Sequence, residues 1–243
     1  MIFFNLGLGV LFISLGYIVT ETNASTLLSG YNTMSRKEQA EFPLKEYLSK
    51  FRQFHLYFGL IFITLGTLIG LFWDKDVLGY HIGITPIIAY LYFFIKTKDL
   101  NKSASTSTKI QAKIGAGVLI ATLIFVIGLF VWSERESSLR IYEDEISISG
   151  PYGLTIPIAQ MDSVALLDEI PRIRIRLHGV STNSVSKGKF KGVGQNRYHL
   201  LLDKPYQRAL IIYRSKDIPV IISIDQVEEQ ELYRTLKERI ASL

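Results

Sequence analysis

The apolar residues of this chain follow two periods, and the change falls near Ser133. Before it they run in blocks long enough to cross a bilayer; after it they alternate with polar residues or form short β-branched runs. Four blocks are predicted as transmembrane helices, at 2–20, 56–73, 79–95 and 114–132. The first is interrupted by Asn5 and Ser14, the second and fourth close on Trp73 and Trp132, and the third is short and carries His81 and Pro86. Tryptophan at a block's end suits the headgroup level of a membrane. No Lys or Arg precedes the first block, which therefore reads as a permanent span and not as a cleaved signal peptide.

A polar interruption, 29–42, separates the first two blocks. Gly30 and Asn32 suit a turn with positive φ, and Ser35 with Glu38 three residues later makes a capping box. A helix is expected to restart at Pro43, where Leu44, Tyr47, Leu48 and Phe51 recur at helical spacing; the pattern predicts an amphipathic interfacial helix near 35–52. The run Gly30-Tyr31-Asn32-Thr33-Met34-Ser35, followed by Lys37-Glu38 and Phe42, resembles the marker loop of a family of small bacterial polytopic membrane domains. The likeness covers about the first hundred residues, an ordinary domain length. It implies an architecture and brings no activity, cofactor or catalytic residue with it.

After Ser133 strands are expected at 139–142, 145–149, 154–158, 163–167, 172–177, 197–202, 209–213 and 220–224. Gly150-Pro151-Tyr152-Gly153 is a turn, and Asp225 should cap a helix over 226–240 with Val227, Leu232, Leu236 and Ile240 on its apolar side. Seven or so antiparallel strands and one terminal helix make a small β-barrel or bent sandwich plugged by that helix. Tyr142-Glu143-Asp144-Glu145-Ile146-Ser147-Ile148, the glycine turn, and Ile221-Ile222-Ser223-Ile224-Asp225 leading into a helix resemble the bacterial pleckstrin-homology-like domains. The expected organisation is a four-span membrane domain over 1–132 and a pleckstrin-homology-like domain over 139–243.

The 48% hydrophobic content is high for a chain that is 20% charged, and its excess lies before Ser133. Lys and Arg outnumber Asp and Glu 11 to 7 before Ser133 and 16 to 15 after it, so the basic balance is no nucleic-acid signature. Arg36, Lys37, Lys45, Lys50 and Arg52 fall in the first loop and Lys96, Lys98, Lys102, Lys109 and Lys113 in the third, against Lys75 alone in the second. The first and third loops are therefore expected in the cytoplasm of a bacterial cell, with the chain crossing the inner membrane. Four spans then place the N-terminus and the C-terminal domain outside. Gly66 with Gly70, Gly9 with Gly16, and Gly117 with Ala121 and Gly128 are expected to line helix contacts within the bundle.

The absence of Cys removes thiol nucleophiles, disulfides and thiolate metal sites. His55, His81, His178 and His199 lack metal-ligand spacing, and the stretch 187–194 lacks the phosphate-loop pattern and reads as a glycine-rich hairpin. No cofactor or metal is expected. One constellation stands out. From Pro171 to Leu177 a period of two would put Arg172, Arg174 and Arg176 on one strand face and Ile173, Ile175 and Leu177 on the other. Lys187, Lys189 and Lys191 alternate likewise, and if the two stretches pair, six cations share one face. That face suits anionic lipid headgroups or an acidic protein partner; the same alternation also describes an ordinary solvated strand. The resulting expectation is a non-enzymatic integral membrane protein whose C-terminal domain binds a partner or anionic ligand at the membrane surface. The alternative is a membrane-embedded enzyme or small-solute transporter with a site near His81 and Pro86. Against it stands the absence of any Asp, Glu, Lys or Arg within the four blocks.

Overall fold

The computed structural model describes residues 1–73, 75–101, 105–203, 208–223 and 226–242. Lys102 and the expected cap Asp225 lie outside the described residues, as does the side chain of Val227. The chain divides into two units, Met1–Gly128 and Leu129–Leu243.

The first unit is helical: α1 (Ile2–Ile18), α2 (Ala24–Leu27), α3 (Arg36–Glu41), α4 (Leu44–Phe72), α5 (Lys75–Thr97) and α6 (Thr106–Ser133), the last running past the boundary. Three of these, α4, α5 and α6, are long and apolar enough to cross a membrane. At 17 residues α1 is apolar but shorter, about 25 Å, so it is the first of the four expected spans that falls short and not the third.

Glycines bring α1 and α4 together. A Cβ on Gly16 would come within 2.9 Å of the His55 Cβ, and one on Gly9, Gly59, Gly66 or Gly70 would collide with Ile63, Ile13, Asn5 or Ile2. Backbones at this separation gain dispersion along the whole seam. The expected glycine contacts therefore form for Gly9, Gly16, Gly66 and Gly70, whereas nothing lies within 4 Å of the Cβ positions of Gly117 and Gly128.

The region expected as one interfacial helix is two pieces, α3 and the start of α4, which continues unbroken to Phe72. Its stripe of Leu44, Tyr47, Leu48 and Phe51 does not lie open; it packs with Val19, Ala24, Leu28 and Tyr31 of the α1–α3 connection.

The second unit begins with a three-stranded antiparallel sheet of β1 (Leu139–Ile141), β2 (Glu145–Ile148) and β3 (Leu154–Pro157). A six-stranded sheet follows, built from β4 (Met161–Leu167), β5 (Ile173–Ser181), β6 (Val185–Gly192), β7 (Arg197–Asp203), β8 (Ala209–Arg214) and β9 (Asp217–Ser223) in the order β4-β8-β9-β7-β6-β5. The helix α7 (Gln226–Ala241) ends the chain. In place of seven or so antiparallel strands there are thus nine among the described residues, and β7 and β9 run parallel.

Runs such as Leu200-Leu201-Leu202, Ala209-Leu210-Ile211-Ile212 and Val220-Ile221-Ile222 are buried throughout, so the central strands are covered on both faces. Leu201, Leu210, Ile212 and Ile222 share one core with Ile146, Ile156 and Leu236 of α7, with Leu232 and Ile240 packed against it. Phe190, Leu200, Leu202, Ile211 and Ile221 form a second core on the other face. Edge strands β4 and β5 are joined by residues 168–172 alone. From Leu167 to Ile173 the chain reaches at most about 20 Å, whereas a flat six-stranded sheet is about 24 Å wide. The sheet must therefore curl, and Ile170 of the link packs onto the second core.

Candidate functional site

The marker loop is a joint between helices. Gly30 has φ +90, as a left-handed turn requires, while Asn32 keeps a negative φ, contrary to expectation. Met34 is buried, Tyr31 packs on the Phe42 ring at 5.5 Å, and Gln39 Nε2 donates to the Tyr31 carbonyl at 2.9 Å. Ser35 and Glu38 form the expected capping box. The same carboxylate reaches further, because Glu38 Oε1 accepts from the Ser105 amide and the Thr108 hydroxyl, both at 2.9 Å, at the first turn of α6. Hydrogen bonds from Ser105, then from Ser35, hold the Glu38 carboxyl well below the usual carboxylate range. Thr33 Oγ1 adds a 3.0 Å contact to Gln111 of α6. Around these residues is a cavity of about 460 Å³ walled by Tyr31, Thr33, Met34, Phe94, Thr108 and Gln111. Glu38 is committed to four donors, two from Ser35 and one each from Ser105 and Thr108, so the loop ties α3 to the start of α6.

The interior histidines are likewise committed to packing. His55 bonds the Phe51 carbonyl at 2.8 Å and the Tyr90 hydroxyl at 3.1 Å; His81 bonds the Phe62 carbonyl at 3.2 Å and the Thr85 hydroxyl at 3.0 Å. Asn5 is buried against Gly66 and lies 3.4 Å from the carbonyls of Phe62 and Ile63. Among the described residues no group of three or more metal-ligating side chains converges.

The expected face of six cations does not form as a unit. Strands β5 and β6 do pair, but the register shifts between Ile173 and Ile175 and again between Arg176 and His178. Arg176 stands opposite Phe190 while Ile175 stands opposite Lys191, so the period of two is broken and arginines and lysines do not share one side. Lys187 is fully buried: its Nζ lies 2.5 Å from Asp203 Oδ1 and donates also to the Arg135 carbonyl, and Asp203 Oδ2 accepts from the Ser137 amide at 2.8 Å. Ile173, Ile175 and Leu177, expected in the core, are 37%, 48% and 47% exposed, because β5 is an edge strand with little covering either face. What remains outward is Arg172, Arg174, Arg176 and Lys189, with Lys191 half-buried.

Residues 6–99 match a family described as a domain of unknown function (DUF3784), an interval that takes in α2 to α5 and all but the first turn of α1. The rest of the chain lies beyond that match. No curated protein and no solved structure matches the chain.

Proposed function

We propose that the chain is a non-catalytic integral protein of a bacterial cell membrane, a four-span anchor whose pleckstrin-homology-like domain binds an anionic ligand or an acidic protein partner through β5. The observation that carries this is the state of four cations on and beside that edge strand. Arg172, Arg174, Arg176 and Lys189 are exposed, and among the described residues none has an ion pair. Arginines left free on an open edge are available for bidentate contact with phosphate or carboxylate.

Sheet layers closed by a terminal helix support the pleckstrin-homology-like reading, from which the parallel β7–β9 pair departs. A fourth span is supported by the way α1 tracks α4 from the Arg52 level, beside Gly16, to Gly70, beside Ile2. That interval is about 27 Å, close to the thickness of a hydrocarbon core. An outer side for the C-terminal domain is supported by the basic residues that flank the start of α4 and the end of α5, and this support does not depend on whether α1 crosses.

The test uses the full chain in nanodiscs of zwitterionic lipid, mixed with vesicles containing phosphatidylglycerol at low and moderate salt. Co-flotation should be salt-sensitive and lost in the Arg172→Glu, Arg174→Glu, Lys189→Glu variant, since each basic residue near an anionic membrane contributes about 1 kcal/mol. Equal co-flotation of parent and variant, or none for the parent at low salt, refutes anionic-surface binding through β5.

A further inference from the structure

We propose that the groove between α4 and α5 binds one anionic phospholipid, drawn from the leaflet next to the basic loops. The inference rests on these helices crossing a membrane and is independent of what β5 binds. The groove has a volume of about 740 Å³ and is open along one side. Its two ends differ in chemistry. At one end stand Lys50 and Gln53 of α4 with Lys96 of α5; the rest is walled mainly by Phe54, Phe58 and Ile61 of α4 and Ile88 and Tyr92 of α5, and the hydroxyl of Thr85, which also lines it, is bonded to His81.

The two lysines share a level because α4 and α5 run antiparallel: the rings of Phe54 and Phe93 stack at 4.6 Å, one turn inward from Lys50 and Lys96. From Lys50 to Ile61 the groove runs about 16 Å, against about 15 Å for half of a hydrocarbon core. It therefore measures one leaflet, with the cations where headgroups lie and aromatic and aliphatic walls where an acyl chain lies. An ammonium offers three donors. Lys50 uses one on Glu46 at 2.8 Å in an exposed pair, and Lys96 stands 5.6 Å over the Tyr92 ring, so both retain donors for a phosphate. The Gln53 amide can reach a phosphate or ester oxygen from the same end.

Charge complementarity selects this occupant over the others. A zwitterionic lipid carries its own ammonium toward the two lysines. A helix from a second copy would have to bring an acidic side chain to this level, and within 56–73, 79–95 and 114–132 the chain has none.

Native mass spectrometry of the full chain in detergent tests the assignment with phosphatidylglycerol, phosphatidylcholine of the same acyl chains, and glycerol phosphate as the headgroup alone. Phosphatidylglycerol should be retained in a one-to-one complex, phosphatidylcholine weakly, and glycerol phosphate not at all. Lys50→Gln with Lys96→Gln should weaken phosphatidylglycerol roughly 25-fold, about fivefold per lysine. Arg172→Glu with Arg174→Glu should leave retention unchanged, which separates this groove from β5. Ile61→Trp fills the apolar end without touching a charge and should also expel the lipid, so a folding defect in the lysine variant, visible as a changed elution volume, leaves the test standing. Equal retention of the two phospholipids, retention in both groove variants, a loss caused by the β5 variant, or a protein dimer in place of the lipid complex overturns the proposal.

Discussion

Lys187 shows how far a single side chain can depart from the pattern that flags it. It alternates with Lys189 and Lys191, yet the pairing that sets Val180 on one side of it and Leu201 on the other carries it into the core face, where Asp203 and the Arg135 carbonyl compensate its charge. Removing one member leaves the other charge stranded. Lys187→Met should cost about 3 kcal/mol in urea unfolding of residues 134–243, and adding Asp203→Leu should recover part of that loss. His199 makes a second case. Burial, aided by the nearby cations Arg214 and Lys189, pushes its pKa below the usual imidazole value of 6.5, against the opposing hydrogen bond to the Tyr152 carbonyl. The unfolded chain therefore takes up this proton at higher pH than the folded one. The stabilising effect is complete above about pH 6.5 and declines as pH falls below it. Melting temperature should drop from pH 7 toward pH 5.5, and His199→Gln should flatten that slope. Neither residue's role was legible in the sequence, because alternation reports which positions share a side and not which side is covered.

At the scale of elements, the capping box was legible because its signal is local, two residues three apart. Its second duty, at the start of α6, was not, since residues 38 and 105 are brought together only by the fold. Glu38→Ala should lower the melting temperature of the detergent-solubilised chain more than Glu38→Gln, which keeps one acceptor oxygen. Hydrogen exchange at the amides of Ser105 to Thr108 should quicken in both, and unchanged exchange would show that α6 starts without this carboxylate. The stripe on α4 teaches the complementary lesson. Leu44, Tyr47, Leu48 and Phe51 were correctly placed on one helical face, but lipid and protein are equally apolar partners, and helical spacing cannot distinguish them. The arginine strand failed differently: two bulges each insert a residue, and a bulge leaves no trace in composition.

For the whole molecule, the division near Ser133 was legible from the change of hydrophobic period, and it falls within five residues of the boundary after Gly128. Strand order was not, because a parallel β7–β9 pair depends on long-range pairing. The second unit holds both of its own cores, so residues 134–243 should unfold cooperatively in urea as an isolated domain. A version starting at Leu139 loses the Arg135 carbonyl and the Ser137 amide and should have a lower midpoint. Orientation can be read in a chain that has no Cys of its own. In intact cells with a permeable outer envelope, a membrane-impermeant thiol reagent should label Ser184→Cys and spare Ser107→Cys, and the reverse pattern would invert the topology. One further consequence concerns synthesis. Strand β9 sits between β7 and β8, and it is the last strand to be made. A nascent chain ending before Asp217 therefore holds two unjoined fragments, β5–β6–β7 and β4–β8, each with an apolar strand edge unpaired. Folding of this sheet waits on the synthesis of β9, and a product terminated before it carries its own exposed mark for chaperones and proteases.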